Sequence, residues 1–441
     1  MKINYTFLFI IPIALILLMD NMFTELVAPS NKNIQYMMLN LLLKGCAALS
    51  FGYCWLKFQR MSKPMRMIYI LLNVYVVGMV LESMYKYNTP LVYPHVFQKL
   101  FVLYFAFFIY TFYKGNFYLK FSHVVTFIMV GFWLNVLIVN PHTLSISSFT
   151  GHERGVHSSS VYMLVIPFLY YLSNYFYKGK MTQLFLALFV LLTIFFFQHR
   201  TVWISTAVVL FFYYLLTKFK AEEPINFGKL VPIILVGIIA GIASSAFLFS
   251  MHPEIIDKVQ ASFSDMENFE TQGTGGWRYK QWLSYVPFIE ENLFLGMRFE
   301  GFELPIQFYR EDLGRPVFED GNGHHFHSFY IEILFYTGLA GLLIFLLLTW
   351  ETIKYAFRAR FMTIRQIILL SFILSGFVFG ISYVLPIFFY AILGWGIVLM
   401  EEEVPAPVTY LKQSAWRRKL RLRELKENLF RPGNKPLLEH N

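Results

Sequence analysis

Two polar stretches, GTGGWRYKQW at residues 273–282 and GHHFHSFYIEIL at residues 323–334, interrupt a chain that is otherwise close to continuous apolar sequence. The second opens directly into an aliphatic run that reaches Leu348. Between them lies an acidic loop, so residues 273–327 are the part of the chain with room for chemistry in water. His324, His325 and His327 stand where that loop meets the apolar run, and Arg278 lies upstream on a short amphipathic segment.

Composition sets the class. Of 441 residues, 57% are hydrophobic, 19% aromatic and 15% charged, against about 25% charged in soluble globular domains. That balance describes a polytopic membrane protein. Apolar runs of span length fall at about 5–19, 34–56, 67–84, 91–112, 121–139, 158–177, 182–198, 201–217, 230–250, 328–349, 366–383 and 385–400. The expected fold is therefore an all-α membrane protein with about twelve transmembrane helices and one large external loop between helices nine and ten. The first run follows Met1 and Lys2 like a signal peptide, but LLMDNMFTELV offers no small-residue cleavage site, so it reads as a retained helix. Pro386 divides the last two runs. Cys46 and Cys54 share one run and would lie about 12 Å apart along a helix, too far for a disulfide.

Lysine and arginine orient the helices. One set of alternate connections carries Lys57, Arg60, Lys63 and Arg66, then Lys114 and Lys120, Lys178 and Lys180, Lys218, Lys220 and Lys229, and finally Lys354, Arg358, Arg360 and Arg365. The other set has only Lys32, Lys86, Arg154 and Arg200 in its short loops. Both termini are expected in the cytoplasm. Residues 1–250 then hold nine helices, 251–327 the extracytoplasmic loop, 328–400 helices ten to twelve, and 401–441 a basic tail. The net charge of +10 belongs to the cytoplasmic side and above all to WRRKLRLRELKENLFR at residues 416–431. Such a tail fixes topology and touches anionic head groups; nothing in it argues for nucleic acid.

Arginines on the outer side run against the charge rule, so each needs a reason. Snorkelling to head-group water accounts for any one of Arg154, Arg200 and Arg278. Three on one side favour a shared anionic ligand such as a lipid pyrophosphate, which guanidinium grips through a bidentate fork.

An external loop containing Arg154-Gly155, then Arg200, then GGWRYKQWLSYVPFIEENLFLGMRFEGF at residues 275–302 and HFHSFYIEILFYTGLAGLLIFLL at residues 325–347 together resemble the O-antigen ligase and polysaccharide polymerase superfamily. The resemblance covers about residues 140–348. It implies an integral-membrane glycosyltransferase in the bacterial cytoplasmic membrane, working at its outer face. The donor would be a glycan on undecaprenyl pyrophosphate and the acceptor another glycan or a lipid. By that resemblance Arg200 and Arg278, with Arg154 beside them, bind the donor pyrophosphate, Trp282 and Glu290 contact substrate, and His327 or His325 serves the acceptor. Ligases of the family usually carry His-x-His-Asn, where this chain has Ser328, and the residue before Arg200 is His199. The substitution at Ser328 favours a polymerase over a ligase.

The chemistry requires no cofactor. Fixed cations meet the charge growing on a departing pyrophosphate, and an imidazole titrating near neutrality suits a general base. The histidine cluster could instead ligate zinc with Glu319 or Asp320, although no HExxH or cysteine pattern accompanies it. GTGGW superficially resembles a phosphate loop, but no strand precedes it, and a hinge into a helix over residues 277–286 is the expected form. Trp277, Trp282 and Tyr285 fit either an interfacial aromatic belt or sugar stacking. Lys44, Glu82 and Lys99 fall within or near apolar runs and call for partners that the sequence does not name. A lipid-linked oligosaccharide transporter is the competing class; it should show repeated halves, and no internal repeat is present.

Overall fold

The computed structural model describes residues 5–27, 34–115, 119–145, 155–222, 225, 227–230, 273–300, 309–310, 315–316 and 326–403. The run at 230–250, Arg154, His324, His325, much of the large loop and the tail beyond residue 403 lie outside the described residues. Regular structure among the described residues is helical, apart from a hairpin of Tyr309–Arg310 with Arg315–Pro316. The helices are α1 (Ile11–Leu17), α2 (Asn21–Val27), α3 (Ile34–Leu56), α4 (Lys63–Tyr87), α5 (Pro94–Tyr113), α6 (Phe121–Leu134), α7 (Ser158–Met163), α8 (Val165–Lys178), α9 (Met181–Phe196), α10 (Arg200–Lys220), α11 (Gly273–Glu291), α12 (Phe329–Arg358), α13 (Ile364–Ser382) and α14 (Ile387–Glu402).

Among the described residues six segments are long and apolar enough to cross a membrane, or seven if the bent pair Leu8–Leu17 and Asn21–Val27 forms one span; Met181–Phe196 is a shorter apolar helix. This is a multi-pass membrane protein. Every apolar run expected outside 230–250 coincides with a helix, but three, the one at 328–349 among them, are not the simple rods expected. The first run turns by 91° before α2. Asp20 sits buried at the turn, where its carboxylate accepts from the Met22 N–H (3.2 Å) and the Ser160 hydroxyl (2.5 Å), so the freed backbone at the start of α2 is satisfied from within the protein. The run at 158–177 divides into α7 and α8 around Leu164. Pro167 is the cause, since it lacks an N–H and its ring crowds the Met163 carbonyl.

The centre of the bundle is α14, in which every residue from Phe388 to Met400 is buried. A helix apolar on all sides belongs inside. Gly394 lets it approach α5 closely, for a Cβ there would lie 2.2 Å from the Ala106 carbonyl oxygen. Pro386 caps α14, and residues 383–386 separate it from α13.

One end of the bundle is tied by polar links between helices. The Met362 N–H donates to the Lys220 carbonyl (2.7 Å) and the Lys220 ammonium to the Ala359 carbonyl (2.9 Å). Arg365 pairs with Glu403 and Lys114 with Glu401. Because α10 ends and α13 begins at this end, the start of α10 and the close of α13 share the other.

Near that other end α12 is broken. Gly338 takes a left-handed φ of +60° and crosses Gly296 (φ +71°), which follows α11; a Cβ on either would lie 2.5 Å from backbone of the opposing strand of chain. Four of the backbone groups flanking the break find new partners. Met297 and Arg298 N–H groups donate to the Phe335 (2.7 Å) and Tyr336 (3.2 Å) carbonyls, while Leu339 and Ala340 N–H groups donate to Leu293 (2.8 Å) and Phe294 (3.0 Å). The Tyr75 hydroxyl lies within hydrogen-bond range of both the Thr337 (3.1 Å) and Leu295 (2.9 Å) carbonyls. Such reciprocal satisfaction is what a helix break inside a membrane requires.

Candidate active site

The polar sequence around residue 273 is more helical than expected. The GTGG residues are the first turn of α11, not a hinge ahead of it. Arg278 comes in the second turn, half-buried, with its guanidinium 4.9 Å from the centre of the Tyr383 ring. Tyr383 is the residue that closes α13. Trp282 lies one turn beyond Arg278 on the same side of α11. Its indole Nε1 is buried and has no hydrogen-bond partner among the described residues, a donor available to a ligand oxygen.

One turn further, Tyr285 is buried and packs against Phe326 (ring centres 4.8 Å apart) and Phe335 (5.1 Å). Burial pushes its phenol pKa upward, so it is neutral near pH 7. Phe326 also meets Tyr336 at 5.6 Å. These rings seat the chain immediately before His327, which is half-buried in a bend ahead of α12. The next residue, Ser328, is buried and donates its hydroxyl to the Gly380 carbonyl (3.3 Å). The Phe329 N–H then donates to the Tyr383 carbonyl (3.3 Å). Thus His327 is held between two anchored neighbours and is not yet within the helix.

Arg278 and the start of α12 therefore meet on one residue, Tyr383. Arg200 is the first residue of α10, half-buried at the same end of the bundle. Beside it the His199 imidazole Nε2 donates to the Val156 carbonyl (2.8 Å), which brings the chain just after Arg154 against the start of α10. Arg154, His324 and His325 themselves lie outside the described residues. Glu290 is not brought to the others: it is exposed near the far end of α11, about 18 Å along the helix from Arg278.

Some flanking residues were flagged by sequence without partners, and others were missed. Lys99 on α5 pairs with Glu332, buried in the first turn of α12, and lies 5.8 Å from the Tyr336 ring. Glu82 pairs with Arg298 (2.6 Å) and Lys86 (3.1 Å), and Lys86 reaches Glu300 (2.7 Å). The hydrogen bond from Lys86, and then its charge, hold the exposed Glu300 carboxyl below the usual range. Lys44 differs from both, for it is exposed on α3 and has no ion-pair partner among the described residues. Tyr383 carried no signal in the sequence, since an aromatic residue at the end of an apolar run is ordinary.

No curated protein matches this chain. Residues 185–346 match the family model described as O-Antigen ligase, a segment that runs from α9 through the Arg278 helix to beyond the Gly338 break. The similarity to the O-antigen ligase family rests on that segment, which carries Arg200, Arg278 and His327.

Proposed function

We propose that the protein is a polymerase that transfers glycan repeats from undecaprenyl pyrophosphate to a sugar hydroxyl at the outer face of the cytoplasmic membrane. The observation that carries this reading is the meeting of Arg278 and the His327 segment on Tyr383, at the end of the bundle where α10 presents Arg200. In the proposed step an acceptor hydroxyl oxygen attacks the anomeric carbon as the bond to the pyrophosphate oxygen breaks. The hydroxyl proton passes to His327, with His325 as the second candidate base. Arg278 and Arg200, joined by Arg154, balance the charge that grows on the leaving pyrophosphate. Trp282 offers its indole N–H to the donor. In-line displacement of this kind inverts the anomeric centre.

A ligase that delivers the glycan to a lipid or other acceptor uses the same chemistry, and the description of the matching family favours it. The lipid-linked intermediates of a deletion strain separate the two. Loss of a polymerase leaves single repeats, whereas loss of a ligase leaves long unattached polymer. Complementation with His327→Ala should reproduce the deletion phenotype. Wild-type glycan chains in that strain would remove His327 from the chemistry. A transporter predicts a third result: purified protein in detergent, given the lipid-linked donor and no gradient, makes no longer or transferred product.

A further inference from the structure

The geometry points to Tyr383 as a positioning residue that sets the donor-side arginine against the acceptor-side segment, an inference that rests on the glycan-transfer reading above. Its ring lies under the Arg278 guanidinium at 4.9 Å. That ring also stacks on Phe379 (centres 5.2 Å apart, planes at 26°), and Phe379 stacks on Tyr162 of α7 (4.2 Å, 13°). Phe379 and Tyr162 are fully buried, and the Tyr162 hydroxyl is 2.7 Å from the Ser375 hydroxyl. The ring beside Arg278 is therefore the half-buried end of a column rooted in the bundle.

The same residue holds the start of α12 through its backbone, since its carbonyl accepts from Phe329. Ring and carbonyl thus do separate tasks. The ring gives the guanidinium a flat face to lie against, which narrows the rotamers it takes as it meets a phosphate. The carbonyl fixes the chain next to His327 and survives any substitution of the side chain.

A test follows from that separation. Phenylalanine and mono-, di- and trifluorophenylalanine are introduced at position 383 of the full-length protein in nanodiscs, and binding of a synthetic polyprenyl-pyrophosphate disaccharide is measured beside its turnover. Fluorine drains the negative face of the ring with little change of shape. The expected result is that Tyr383→Phe binds like wild type, and that the trifluoro ring raises the donor Kd about fivefold to tenfold. The donor KM should rise in parallel, and kcat at saturating donor should fall along the same series, because Arg278 also meets the charge that grows on the leaving group. In an Arg278→Ala background the series should be flat. A graded loss that persists without Arg278, or no gradient while Arg278→Ala weakens donor binding, overturns the positioning role and leaves the glycan-transfer reading standing. Failure of the wild type to bind or turn over the lipid-pyrophosphate donor overturns both.

Discussion

Glu332 lies in the first turn of α12, buried, and among the described residues its carboxylate pairs with Lys99 of α5. Removing one member of such a pair costs about 3–5 kcal/mol when both are buried. Here the Lys99 side chain is 28% exposed and that of Glu332 9%, so the two losses should differ. Lys99→Met is expected to lower the thermal stability of the purified protein more than Glu332→Gln does, and the double variant Lys99→Met/Glu332→Met to recover much of the loss. Equal effects would mean that the pair is not the determinant. At Arg278 the concern is rate. Arg278→Ala and Arg200→Ala should each lower turnover about a hundredfold, and lysine should restore little of it, because a point charge lacks the guanidinium fork. Full activity in Arg278→Lys would remove the fork from the mechanism. As candidates, Arg200, Arg278 and His327 were legible in the sequence because a polar residue stands out against an apolar background. Tyr383 and Glu332 were not, as their roles come from helices far apart in the chain.

Helix boundaries were legible to within a few residues wherever apolar runs met basic turns, as at α3, α10 and α13. Breaks inside runs were not. The bend at Asp20 and the crossing at Gly338 each depend on groups from elsewhere that satisfy the freed backbone. A transporter also breaks its helices, but does so at matching positions of repeated halves; here the breaks fall at Asp20, at Leu164 and at Gly338. The crossing makes a sharp contrast between glycines. Gly338→Ala and Gly296→Ala each place a methyl against backbone on top of a left-handed φ, so neither is expected to yield folded protein in the membrane. Gly115→Ala meets open space at a φ of +73° and should cost about 1 kcal/mol, the conformational term alone. Comparing yields of monodisperse protein for the three checks this. Normal folding of Gly338→Ala would show that the crossing is not required.

For the whole molecule the decisive question is which end faces outward, since the proposed transfer has to meet its lipid-linked donor at the outer face. At the end tied by Lys220 and Met362 lie Arg365 and Lys114, with Arg358 closing α12. At the other end Glu25, Glu290, Glu291 and Glu300 lie beside Lys86 and Arg298, both paired with carboxylates, and beside Arg200 and Arg278, the two assigned to a phosphate ligand. The positive-inside rule then predicts the Lys220 end in the cytoplasm and Tyr383 with the His327 segment outside. In a Cys46→Ala/Cys54→Ala background, Glu291→Cys and Arg358→Cys both place a thiol at an exposed position. A membrane-impermeant maleimide applied to intact cells should label Glu291→Cys, and should label Arg358→Cys only after the cells are opened. The reverse pattern would turn the bundle over. The three arginines would then be ordinary cytoplasmic charges, the reason for giving them a pyrophosphate ligand would vanish, and transfer at the outer face would have to be abandoned whatever the activity of the purified protein.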